Sequence, residues 1–135
     1  MPRVHSTSFS ASGMPTTGER GSPERRRSSA RLACSLAEAT ASIRLHPGTR
    51  TQAIYGQSKI AEQYNCNFGV SSKYQAALEA QGMRIAGVDE SGAVRIIELA
   101  DHPFFLATLF QPELSAESGG PHPLIVAFVR AAAGG

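Results

Sequence analysis

Seven residues in a row, Phe104, Phe105, Leu106, Ala107, Thr108, Leu109 and Phe110, carry no charge, glycine or proline. Successive side chains of a strand point to opposite faces, so an apolar run of this length suits a core strand covered on both sides. Such a strand needs a layer above and a layer below. Asp101-His102-Pro103 ends whatever precedes the run. After a polar loop, Pro123 opens a helix in which Leu124, Val126, Ala127, Phe128 and Ala131 leave little polar relief before Gly134-Gly135. A helix this apolar requires a sheet to pack on.

Upstream, Ala41 to Leu45 alternates like a strand, and the Pro-Gly pair in His46-Pro47-Gly48-Thr49 makes a turn. From Glu62 to Val70 the side chains of Tyr64, Cys66, Phe68 and Val70 recur at period two, which puts Asn65, Asn67 and Gly69 on the opposite, polar face of one strand. Ser71 or Ser72 caps a helix carrying Tyr74, Ala77 and Leu78 on one side, and Gly82 ends it. Met83–Val88 and Val94–Leu99 flank Asp89-Glu90-Ser91-Gly92, the pattern of an antiparallel hairpin. The order of elements is mixed α/β.

The net charge of +2 conceals a division. Residues 1–33 hold six Arg against Glu19 and Glu24, whereas residues 34–135 hold seven basic and nine acidic side chains. The first segment is rich in Ser, Thr, Gly, Pro and Arg and has too few aliphatic residues to offset its ordering entropy, so residues 1–33 read as a disordered tail and residues 34–135 as one domain. The mildly acidic body has no electrostatic footprint for nucleic acid. Two cysteines, Cys34 and Cys66, make no disulfide framework and no metal-ligand spacing with histidine. The expectation is a cytoplasmic protein without metal or cofactor, and no stretch approaches the roughly 18 apolar residues of a membrane span.

The segment from Leu99 to Leu114, in which the apolar run leads into Gln111-Pro112-Glu113, resembles the end of a class I glutamine amidotransferase domain, where a strand leads into His-Pro-Glu. Pro121-His122-Pro123-Leu124 and Val126-Ala127-Phe128 are similar to the start of the last helix of the amidotransferase region of CTP synthase. Ile43-Arg44-Leu45, Pro47-Gly48, Tyr55-Gly56 and Glu62 fall in the order of that branch, so the resemblance covers roughly residues 40–133. It implies the C-terminal half of a flavodoxin-like three-layer domain containing an antiparallel hairpin. It also implies descent from enzymes that hydrolyse the glutamine side-chain amide with a Cys-His-Glu triad and pass the ammonia on for ATP-dependent amination of UTP.

Carried over residue by residue, the triad Glu is kept as Glu113, but Gln111 stands where the resemblance puts the His. An amide has no group that takes up a proton near neutral pH, so Gln111 cannot serve as the base. Neither Cys34 nor Cys66 lies on a Gly-flanked elbow. The family's basic strand, which helps hold the glutamine carboxylate, is replaced here by Gln63-Tyr64-Asn65-Cys66-Asn67-Phe68, with Asn67 in place of an Arg. Losing a charge-assisted clamp costs about 1.5–3 kcal/mol per hydrogen bond.

Three readings follow. The chain is a fragment of a CTP-synthase-related amidotransferase, inactive alone; or a degenerate domain acting as a binding module through Asn65, Asn67 and Gln111; or a truncated or misframed product. Expected partners are a missing N-terminal half, a synthetase domain or a second copy, with no nucleic acid and no membrane. His102 and His122 each neighbour a proline at an element end and read as punctuation rather than as acid/base groups.

The tail reading has a direct check. Trypsin under native conditions is expected to cut first within Arg25-Arg26-Arg27, with the body beyond residue 40 resisting longer. Resistance at these three arginines while other exposed sites are cut overturns it.

Overall fold

The computed structural model describes residues 29–31, 39–65, 68–116 and 119–134. The order is β1 (Ser29–Arg31), β2 (Ala39–Leu45), α1 (Arg50–Tyr55), β3 (Lys59–Tyr64), β4 (Phe68–Val70), α2 (Ser72–Ala80), β5 (Met83–Asp89), β6 (Val94–Leu99), β7 (Leu106–Thr108), α3 (Pro112–Ala116) and α4 (Pro123–Ala132). Most of the segment read as a tail lies outside the described residues, as do Cys34, Cys66 and Asn67. The exception is β1, which pairs antiparallel with β4.

Five strands form one sheet in the order β3-β2-β5-β6-β7, and every pairing among the described residues is antiparallel. This part of the chain is mixed α/β and contains the antiparallel hairpin that the resemblance implies, and its five-stranded sheet is antiparallel throughout the described residues rather than a parallel layer. The reason is local, since β5, β6 and β7 follow one another through turns too short for the dozen or more residues of a parallel crossover.

The hairpin forms where the turn residues put it. Asp89 Oδ1 accepts from Ser91 N at 2.9 Å, Ser91 Oγ at 2.6 Å and Ala93 N at 2.9 Å, and Oδ2 accepts from Arg95 Nε at 3.0 Å. Burial works against ionisation of Asp89, but the hydrogen bonds from Ser91, Arg95 and Ala93, together with the Arg95 charge, outweigh it and hold this carboxyl below its ordinary value. A bulge shifts the β5–β6 register around Gly87, and the Ala86 carbonyl accepts instead from His46 N at 2.9 Å, tying β5 to the turn after β2.

The core strand is β6, not the run beginning at Phe104. Val94, Arg95, Ile96, Ile97 and Glu98 are all buried, in an interior strand of the order between β5 and β7. The apolar run contributes only three residues to the sheet, as the strand at one end. Its other members turn to different partners. The Phe104 ring meets Phe128 of α4 at 5.8 Å, and Phe110 meets Tyr64 at 5.9 Å. Leu106 and Phe110 join the cluster of Ile43, Leu45, Ile60, Tyr64, Ala86, Ile96 and Leu124, whereas Phe105 and Ala107 join Ile85, Val88, Val94 and Ile97. The run is apolar because it feeds two cores and a helix.

The segment from Glu62 to Val70 is likewise divided. Tyr64 is fully buried in β3, whereas Phe68 in β4 is 44 % exposed, so the two do not share a face of one strand. Helix α2 forms after Ser71 as expected, though the Ser71 side chain makes no capping bond and none of its residues is fully buried.

Helix α1 escaped the sequence reading because its strongest cap is distant. Thr49 Oγ1 accepts from Gln52 N at 3.2 Å, and Gly56 closes the helix at φ 66°. The remaining first-turn donors go to Glu98, only 2 % exposed, which accepts from Arg50 N at 3.0 Å, Thr51 N at 3.0 Å and Thr51 Oγ1 at 2.9 Å. A buried carboxylate on β6 thus satisfies the N-terminus of a helix 47 residues earlier.

Gly87 sets the closest approach in this core. A Cβ there lies 2.9 Å from Ile43 Cγ2 and 3.0 Å from Ile96 Cδ1. Gly87→Ala is therefore expected to lower stability by about 1–3 kcal/mol in urea unfolding, the usual cost of overpacking. A change within experimental error contradicts the tight packing of β2 on β6 through β5.

Candidate functional site

Sequence reasoning places the site where the chain leaves β7. Leu109 N still donates to Arg95 O of β6 at 3.0 Å, but two residues on Gln111 N donates to Gln63 O of β3 at 3.3 Å. The sheet is thus curled, and the chain leaving one edge reaches the other. The Gln111 side chain completes the junction. Its Oε1 accepts from Asn65 N at 2.9 Å, and its Nε2 donates to Asn65 O at 3.4 Å, so the amide imitates a strand backbone against the end of β3.

Of the residues singled out in the sequence, the structure brings Gln111 and Asn65 together through the Asn65 backbone. Glu113 is exposed in the first turn of α3 and makes no hydrogen bond or ion pair among the described residues. Asn67 lies outside the described residues. No histidine pairs with Glu113 among the described residues. His102 Nδ1 accepts from Phe104 N at 3.1 Å, the punctuating role read from the sequence.

His122 does more than punctuate. It is 5 % exposed, and its Nδ1 accepts from Leu124 N at 3.2 Å, capping α4 ahead of Pro123. An Nδ1 that accepts leaves the proton on Nε2, which lies 2.7 Å from Glu62 Oε1. The same oxygen accepts from Tyr55 Oη at 2.6 Å, and Glu62 Oε2 accepts from Ser115 Oγ at 3.2 Å. Burial first, then the hydrogen bond to Glu62 and its charge, hold the Tyr55 phenol far above its ordinary value, so it remains a donor.

Sequence reasoning did not find this cluster, although one signal was available. Glu62 stands at the same parity as Ile60 and Tyr64, so a carboxylate on the inward face of β3 needs buried partners. Chemically the cluster is closed. Glu62 is 3 % exposed and its two oxygens are occupied by donors from α1, α3 and the cap of α4, which suits positioning and not proton exchange with a substrate.

Among the described residues no group of His, Cys, Asp and Glu is arranged to hold a metal ion, and no helix is long and apolar enough to cross a membrane. A surface cavity of about 280 Å³ is lined by Ser42, Arg44, Ser58, Lys59, Asp89 and Glu90, none of which belongs to either cluster.

No family model matches the sequence. Individual proteins do. The chain is 43 % identical over 90 residues to the CTP synthase of Chloroflexus aurantiacus, a match covering 66 % of this chain and 16 % of that protein. It is 32 % identical over 139 aligned positions to the CTP synthase of Gluconobacter oxydans, covering 98 % of this chain and 26 % of that protein, so this second match runs into the first 33 residues. The chain thus spans roughly a sixth to a quarter of the length of the curated relatives it matches. Among solved structures, the Trypanosoma brucei CTPS glutaminase domain with bound acivicin superposes with a TM-score of 0.66 at 24 % identity, over 70 % of this chain and 39 % of that one. A GMP synthase subunit from Thermoplasma acidophilum gives 0.57 at 16 % identity, over 79 % and 49 %. These likenesses establish the fold.

The closed cluster is testable. Glu62→Ala strands the Tyr55 hydroxyl and the His122 ring in the interior and is expected to cost about 2–4 kcal/mol in urea unfolding. Tyr55→Phe removes a donor without stranding Glu62, whose other partners persist, and is expected to cost about 1 kcal/mol. Equal effects of the two substitutions contradict a shared dependence on Glu62.

Proposed function

We propose that this chain, a homologue of the glutamine amidotransferase region of CTP synthase, is a non-hydrolysing amidotransferase segment: by itself it does not release ammonia from glutamine. The observation that carries the reading is Gln111. Amide hydrolysis by a thiol needs a base that takes the thiol proton and returns it to the leaving ammonia, and that base must be ionisable and near its carboxylate partner. Gln111 has neither property. Its amide cannot cycle a proton, and both of its polar atoms are engaged with the Asn65 backbone.

The remaining parts fit this reading. Glu113 has no imidazole to orient among the described residues, and the one buried histidine among them, His122, is committed to Glu62 and to the cap of α4. A triad carboxylate without its ring supplies no catalysis. The thiols are Cys34 and Cys66, neither flanked by the glycines that let a nucleophile stand on a strand-to-helix elbow. A binding role for the Gln111 side chain is disfavoured by the same bonds that disqualify it as a base. Among the described residues of the binding reading, Asn65, exposed beyond β3, stays open to a ligand.

The purified chain is expected to release no ammonia from glutamine above buffer, and Gln111→His alone is expected to leave it inactive because no elbow thiol is present. Loss of triad members lowers rates by ~10⁴–10⁶. Turnover that disappears on Cys66→Ser or Cys34→Ser shows a recruited nucleophile and overturns the proposal.

A further inference from the structure

Strands β2 and β3 set two cations against each other. In their register Arg44 lies directly opposite Lys59, and on its other side Arg44 lies opposite Val88 of β5. Residues directly opposite across an antiparallel pair hold their Cβ atoms about 5 Å apart, so like charges there repel. Lys59 has partial relief, because its Nζ stands 3.6 Å from Glu90 Oε1 in a pair whose side chains are 65 % and 78 % exposed. Arg44 has none. It is exposed and makes no hydrogen bond or ion pair with any described residue. A guanidinium held beside an ammonium with nothing to neutralise it is a place for an anion. The position is also concave. Arg44, Lys59, Ser42, Ser58, Asp89 and Glu90 line a cavity of about 280 Å³, close to the roughly 300 Å³ at which small-molecule sites begin. Ser42 stands two residues before Arg44 on the same face of β2, and Ser58 directly precedes Lys59. Neither hydroxyl is engaged by a described residue.

We propose that Arg44, with Lys59 and the hydroxyls of Ser42 and Ser58, binds the carboxylate of a small organic acid. The planar guanidinium fork matches the two oxygens of a carboxylate, and the ammonium and hydroxyls supply the remaining donors. Lys59 can be recruited because an exposed ion pair such as the one with Glu90 holds it only weakly. The two acids in the lining choose between anions. Asp89 keeps its charge, since its oxygens accept from Ser91, Ala93 and Arg95 and its carboxyl is held below its ordinary value, and Glu90 stands beside it. Their repulsion grows in proportion to the charge of the ligand, so a singly charged carboxylate suits the cavity better than a phosphate dianion. The site lies where β3 begins, whereas Gln111 meets the residue just beyond the other end of that strand, so the proposal is independent of the reading of Gln111.

The test titrates the full chain with sodium lactate as the probe acid, at ionic strength held constant with chloride. Binding is followed by NMR at the Arg44 Nε–H and by the thermal unfolding midpoint, which rises with a ligand that binds only the folded state. A saturable shift and a rising midpoint are expected with lactate, neither with the uncharged lactamide, and weaker responses with inorganic phosphate. Arg44→Gln is expected to weaken lactate binding at least about tenfold, Lys59→Gln to weaken it less, and Arg130→Gln on the exposed side of α4 to leave it unchanged. A second readout separates the site from the fold. Because Arg44 and Lys59 repel, Arg44→Gln without ligand should leave the unfolding midpoint unchanged or higher, while the lactate-dependent rise disappears. An unsaturable shift, an equal response to lactamide, tighter binding of phosphate than of lactate, wild-type affinity in Arg44→Gln, or a lower midpoint of that variant without ligand would each overturn the proposal.

Discussion

Glu62 is the interior carboxylate on which the arrangement of helices depends. From the inward face of β3 it accepts hydrogen bonds from Tyr55 of α1, Ser115 of α3 and the His122 cap of α4. An ionised group in an apolar interior is tolerated only when its lone pairs are filled, so those donors must arrive together. Glu98 plays the corresponding part on β6, where it fills with backbone and hydroxyl donors from the first turn of α1. Two carboxylates, on the first and fourth strands of the sheet order, therefore hold α1, α3 and the start of α4 to it.

The same layer explains why the position of Gln111 matters. The chain reaches it directly from β7, and α3, anchored through Ser115 to Glu62, begins at the next residue. Gln111 is thus held between a strand and an anchored helix, with its side chain closed against Asn65. In the reading proposed above, a position that demands a mobile proton has instead become part of the seam that joins the two edges of a curled sheet.

How much of this was legible beforehand depends on the range of the interactions involved. The hairpin of β5 and β6 was readable because Asp89, Ser91 and Arg95 lie within six residues of one another, and a turn is chosen by its own residues. The family motifs were readable because they are contiguous. Helix α1 was not, since its decisive acceptor, Glu98, comes from another strand. The run from Phe104 to Phe110 shows the converse error. Periodicity reports that side chains are buried but not by what, so a segment that serves two cores and an aromatic contact with α4 looks like one covered strand. Tyr64 belongs to β3 and Phe68 to β4, a division that alternation alone does not reveal.

The spans of these contacts also order the assembly of the chain. The Asp89–Arg95 clamp closes a loop of six residues, whereas the His122–Glu62 contact closes one of sixty, and the difference in closure entropy alone is about 2 kcal/mol. The hairpin can therefore form on its own early in folding, as short-range pairings do. Glu62 keeps its hydration shell until segments from nearly half the chain have converged on it. Substitutions around Glu62 are therefore expected to slow folding more than those in the hairpin turn.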